Sequence, residues 1–147
     1  MTYDLLIKSG RIKPYRARFS EIQQLLKVAA RDLAAAARNL HEDPDWAYTM
    51  AYNAVLQASR ALILNDGYRP RGGEQHATVV EYIQERLGPA FDKEVGLFDQ
   101  MRRKRHRVIY EVSGLVSKQE AEQAIEFANK FVETLREEIN RQQSVGF

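Results

Sequence analysis

The sequence predicts an all-α protein: an up-and-down bundle of four to five helices, folded as one domain over residues 1–147. Three observations carry that expectation. Every long apolar pattern repeats at the helical period. Glycine, proline or capping residues punctuate the patterns at helix-length intervals. With 44% apolar and 29% charged residues among 147, the chain can bury one core and is not of disordered composition. No sheet is expected; only "RVIYEV", residues 107–112, carries a weak strand signal.

Residues 1–18 read as an N-terminal arm. Within it "YDLLIKSGRIKP" is a short helix stopped by Gly10, with Pro14 beyond. The next pattern, residues 19–40, places Ile22, Leu25, Leu26, Ala29, Leu33, Ala36, Ala37 and Leu40 at helical spacing. Ser20 is its expected cap, with Gln23 at the capping-box position. Asp43 or Asp45 caps the third segment, residues 46–65. That segment carries no lysine and no acid before Asp66, and Ala47, Ala51, Ala54, Ala58 and Ala61 form a small-residue stripe. A helix apolar around most of its circumference belongs at the centre of a bundle. Trp46 and Tyr48, at its start, are expected in the core or a dimer contact.

Gly67 and Pro70 end the third helix, and "RPRGGEQ" reads as a loop. The fourth segment puts His76, Val79, Val80, Ile83 and Leu87 on one face until Gly88-Pro89. The fifth runs from Ala90 to Val112. The sixth starts at Ser117, with Glu120 completing a capping box, and its stripe is Ala121, Ala124, Ala128, Phe131, Leu135 and Ile139.

Composition excludes several chemistries. There are no cysteines, hence no disulfides, thiolate zinc site or cysteine nucleophile. The histidines, at 41, 76 and 106, lack metal-ligand spacing, so neither a metal nor another cofactor is expected. "RPRGGEQ" lacks the Lys-Ser/Thr of a phosphate loop. The most apolar run, Ala54 to Leu64, is too short for a bilayer and is broken by Gln57 and Arg60. The first residues hold no signal-peptide core. A soluble cytoplasmic protein with no membrane association is expected.

The net charge is only +2, but five cations crowd into six residues: Arg102, Arg103, Lys104, Arg105 and Arg107. Phe91, Val95, Phe98, Met101, Val108 and Val112 make one apolar stripe of this helix, and Arg105 falls within it. A charge there must be paired, must snorkel, or must sit at a seam between helices or subunits. An ion pair with the acidic last helix (Glu120, Glu122, Glu126 or Glu133) is the plain expectation. Arg102, His106 and Tyr110 recur at intervals of four and share a face. A guanidinium can hold a phosphate by two parallel hydrogen bonds, and an imidazole can move a 2′-hydroxyl proton near neutral pH. The competing reading of Arg103, Lys104 and Arg107 is a solvated basic face. His76, on an apolar stripe near the start of its helix, is expected as a buried, hydrogen-bonded histidine or a helix-end contact.

Two segments resemble the HEPN domains (higher eukaryotes and prokaryotes nucleotide-binding). "AYNAVLQASRALILNDGYRPRGGEQH" is similar to the second helix of that family, with its closing glycine, loop and histidine. "RRKRHRVIYE" is similar to the family signature, an arginine, a polar residue, then a histidine. The likeness spans about Phe19 to Arg141. It implies a helical bundle that often dimerises, with signature residues of two subunits facing one RNA-cleaving, metal-independent cleft. Carried over, Arg105 matches the signature arginine and His106 the polar residue, and Tyr110 holds the histidine's position. Pairing Arg102 with His106 instead keeps a histidine but shortens the spacing by one.

The expected function is therefore a HEPN-like binding protein engaging RNA, a nucleotide or a partner protein, without efficient catalysis. Its ligand-binding residues are Arg102, Arg103, Arg105, His106 and Tyr110. A homodimer is expected. Similarity to toxin–antitoxin modules implies a nucleotidyltransferase as a further partner. Two alternatives stand beside it. One is a metal-independent endoribonuclease toxin with His106, Arg102 and Arg105 as catalytic residues. The other is a purely structural bundle.

Overall fold

The structure, a computed structural model, describes residues 2–111 and 113–145. Six α-helices follow one another among them: α1 (Thr2–Lys8), α2 (Phe19–Asn39), α3 (Pro44–Asn65), α4 (Gln75–Leu87), α5 (Asp92–Tyr110) and α6 (Lys118–Val145). A 3-10 turn, Pro89–Phe91, leads into α5. The helical expectation holds. Val112, placed on the apolar stripe of the fifth pattern, lies outside the described residues.

The expectation of no sheet fails in a small way. Two three-residue strands, β1 (Ile12–Pro14) and β2 (Tyr68–Pro70), pair antiparallel with Ile12 opposite Pro70 and Pro14 opposite Tyr68. Three residues are too few to show a period of two, so no pattern could announce them. A two-stranded ribbon is marginal alone. Here Leu6 and Ile12 are buried, and the Tyr3 ring stacks on Tyr82 at 4.5 Å between centroids. Each buried aliphatic side chain contributes about 1.5–3 kcal/mol, enough to hold the arm down. By contrast "RVIY" is the last turn of α5, not a strand.

The alanine-rich α3 is central. Its five stripe alanines are fully buried, with α2 and α6 packed along it and α4 and α5 against its remaining surface. Asp43 caps it by accepting the Trp46 N–H at 3.1 Å, and Pro44 takes the first helical position, where no N–H is needed. Asp45 instead accepts backbone N–H groups of Gly114 and Val116, tying the α5–α6 connection to the start of α3. Tyr48 is in the core, whereas Trp46 is 49% exposed and outside it. Ser20 does not cap α2. The cap position is Arg18, two residues earlier, and the Glu21 carboxylate accepts the Arg18 N–H at 3.0 Å. Ser117 and Glu120 do form the expected capping box on α6. Among the described residues, no helix is long and apolar enough to cross a membrane.

Candidate functional site

Phe98 and Met101 fasten α5 to the core, the Phe98 ring lying 5.8 Å from Tyr52 and 6.3 Å from Phe131. That anchorage fixes where the following basic residues point. Arg102 donates from Nε to Asp99 at 2.9 Å, and Arg103 meets the other oxygen of the same carboxylate. Burial would raise the Asp99 pKa, but hydrogen bonds from Arg103 and Arg102 win and hold it below the ordinary range. Lys104 reaches Glu120 on α6, and Arg107 lies 3.7 Å from Glu111. Four of the five cations thus have an acidic partner.

Arg105 does not. The expected ion pair with the acidic last helix is absent among the described residues, because Lys104 takes Glu120. Consecutive helix positions diverge by about 100°. Arg105 therefore turns toward α3, its guanidinium carbon 5.7 Å from the centre of the Tyr52 ring. Of the three fates open to a charge on an apolar stripe, it takes the seam between helices, with an aromatic face as its neighbour.

Tyr52 joins Arg105 to His76. Its hydroxyl lies 2.9 Å from His76 Nδ1, and the two rings are tilted by 32°. Burial pushes the phenol up to about 12, so it stays protonated. The direction of this hydrogen bond depends on the imidazole tautomer: with the phenol as donor, Nδ1 accepts and the imidazole proton sits on Nε2. Burial, then the guanidiniums of Arg105, Arg60 and Arg102, lower the His76 pKa to about 4. It is a neutral imidazole at physiological pH.

Arg60, from α3, completes these surroundings. It is half-buried, burial depresses its pKa, and no carboxylate pairs with it among the described residues. Sequence reasoning treats Arg60 only as an interruption of an apolar run. The usable signal is its isolation: it is the only charged residue between Asp45 and Asp66. His76 is hydrogen-bonded as expected but half-buried rather than buried, and its neighbours are cations as well as core.

His106 and Tyr110 sit elsewhere. Both are exposed, with ring centroids 4.8 Å apart, on the outer surface of α5. The predicted residues therefore divide. Arg105 faces the α3–α4 side, Arg102 and Arg103 share Asp99, and His106 with Tyr110 faces outward.

Comparison with known proteins fits this architecture. TT1696 from Thermus thermophilus, a crystal structure, superposes with a TM-score of 0.63 at 20% identity, covering 80% of this chain and 97% of that one. At that identity the likeness is one of fold. No curated protein matches the sequence significantly. Residues 22–139, from the first buried isoleucine of α2 to the last of α6, match the HEPN domain, and the chain belongs to that family.

Proposed function

We propose that the protein binds RNA or a nucleotide through phosphate contacts where α3, α4 and α5 meet, without efficient cleavage. The observation that carries this reading is Arg105: a half-buried guanidinium over the Tyr52 ring with no carboxylate partner among the described residues, while Arg60, likewise without one among them, acts on the same Tyr52 and His76. Withdrawing a cation from water costs free energy unless an anion offsets it, and a phosphate supplies that anion with matching fork geometry. Arg102, Arg103 and Arg107 add positive potential along the approach.

Cleavage would need a positioned proton carrier. Tyr110 stands at the signature histidine's place, and phenols are poor bases at neutral pH. His76 is neutral but spends Nδ1 on Tyr52. The nuclease alternative draws on one feature, the exposed His106 one turn from Arg102 with Tyr110 beside it. Exposed Ile109 and Tyr110 at the end of α5 offer apolar surface to a second copy, as a homodimer would need.

The test is RNA binding across salt concentration. Affinity should fall linearly on logarithmic axes as counterions are released, and Arg105→Gln should weaken binding and reduce the slope by about one phosphate contact. Incubation in EDTA should leave the RNA intact. Cyclic-phosphate products that vanish in His106→Ala would establish the nuclease instead.

A further inference from the structure

We propose that Arg60, Arg105 and His76 form a subsite for a terminal phosphate, a phosphomonoester dianion, with Tyr52 as its positioning residue. This rests on the phosphate-binding reading above and narrows it: the subsite takes the end of a chain or the phosphate of a mononucleotide, not the internal diester.

The argument starts from charge. Arg60 on α3 and Arg105 on α5 both lie close enough to His76 to depress its proton affinity, as does Arg102. Asp99 is the acid on this face of α5, and Arg102 and Arg103 already occupy both of its oxygens. Arg60 and Arg105 are left without a carboxylate among the described residues, both half-buried, on two different helices, and because Arg102 and Arg103 share the single charge of Asp99, the four arginines exceed it by three positive charges. An internal diester carries one negative charge. A phosphomonoester carries nearly two at pH 7.5, because its second pKa is about 6. A positive excess greater than one favours the dianionic monoester over the singly charged diester.

The polar geometry points the same way. The Tyr52 hydroxyl lies 2.9 Å from His76 Nδ1, and in the tautomer where the phenol donates there, Nε2–H is presented as a donor. Two guanidinium forks and one imidazole N–H are donors only. A site built purely of donors suits a group that only accepts, and a fully ionised monoester has three such oxygens. The Tyr52 ring, 5.8 Å from Phe98 and 5.7 Å from the Arg105 guanidinium carbon, fixes the imidazole and one guanidinium together. Tyr52 need not touch the ligand.

The experiment uses two small probes at constant ionic strength, methyl phosphate and dimethyl phosphate. The readout is the ring C–H resonances of the three histidines by NMR. Methyl phosphate should shift His76 saturably and raise its pKa from about 4, since a bound dianion offsets the surrounding cations. Dimethyl phosphate should bind roughly tenfold more weakly or worse, having lost one charge-assisted contact. Arg60→Gln and Arg105→Gln should each lower methyl phosphate affinity by about the same factor, while Lys130→Gln, on the far exposed face of α6, should not. Tyr52→Phe should weaken the His76 response while leaving both arginines in place. Equal binding of the two probes, or a response of His106 with His76 silent, overturns the subsite. The wild-type comparison decides this even if a variant misfolds. Binding of 5′-hydroxyl RNA separates the two readings. RNA bound normally with His76 unresponsive ends the subsite alone; methyl phosphate bound at His76 with no RNA affinity ends the RNA reading alone.

Discussion

Arg86 and Arg105 are both partly buried arginines on helices that flank α3, yet their surroundings are opposite. Arg86 donates to Asp66 at 2.9 Å and to Glu138 at 2.8 Å, while Tyr82 donates to the same Asp66 at 2.7 Å. Asn65, Gln142 and Gln143 close the network by amide hydrogen bonds between α3 and α6. The partly buried charges of Arg86, Asp66 and Glu138 are answered by one another. At the Arg105 end, one guanidinium lies over the Tyr52 ring, whose hydroxyl meets a neutral imidazole, and among the described residues no carboxylate forms an ion pair with Arg105 or Arg60. A polar cluster that satisfies itself holds a fold together, whereas one left in excess charge is arranged for something that is not part of the chain.

If the sealed end is structural, breaking it should cost the most. Arg86→Met leaves the buried Asp66 carboxylate without its cation, and Glu138 with only the exposed Arg141. The expected loss is about 3 kcal/mol, since truncating one partner of a buried ion pair strands the other charge. Urea denaturation at neutral pH would measure it, and a loss below about 1 kcal/mol would show that Arg86 is dispensable. Tyr52→Phe, at the open end, removes one hydroxyl and leaves the ring against Phe98 and Arg105. The expected loss is smaller, about 1 kcal/mol for one hydrogen bond. A loss as large as that of Arg86→Met would mean that both ends are built alike.

The helices and their core were legible because burial is periodic. The alanine stripe of α3 and the apolar stripe of α6 state their positions in the sequence itself, and the capping box at Ser117 marks where α6 starts. The strands were not legible, since three residues carry no period and their pairing joins positions about sixty residues apart. The site was half legible. Arg105 stands out as a charge on an apolar stripe, but what lies opposite depends on how α5 is rotated against α3. Glu120 is a reasonable partner for it by composition and the wrong one by a single helix position, because Lys104 occupies it. His76 and Arg60 become site residues only when α4 and α3 meet α5, a juxtaposition that no local pattern encodes.

The open end should also respond to pH in its own window. The His76 pKa is lowered from an ordinary 6.5 to about 4 in the folded chain, so between those values the unfolded chain binds the extra proton. The stability that His76 contributes is complete above pH 6.5 and is lost as pH falls toward 4. Asp99 and Glu138 behave as depressed carboxylates: burial opposes the shift, the arginine contacts win, and their contributions fail at lower pH still. A melting temperature that falls between pH 7 and 5 in the wild type should fall less in His76→Gln. An unchanged slope would place the neutral imidazole elsewhere in the titration and weaken the cationic picture of this end.

The smallest expected effect is the most telling. Arg105→Gln removes a cation that no carboxylate in the described chain answers. What stability loses is its contact with the Tyr52 face, about 0.5–1 kcal/mol for a partly exposed site. What stability gains is relief from Arg60 and Arg102, together with the recovered cost of keeping a guanidinium half out of water. The two nearly cancel, so the change in unfolding free energy should stay within about 0.5 kcal/mol of zero, as for a surface position. Phosphate binding by the same variant should drop sharply. A residue whose removal leaves the fold intact while abolishing an interaction is being kept for that interaction. If Arg105→Gln instead costs about 2 kcal/mol or more, well above a surface substitution, then the guanidinium is an unrecognised structural element and the two ends of the bundle differ only in which partners they use.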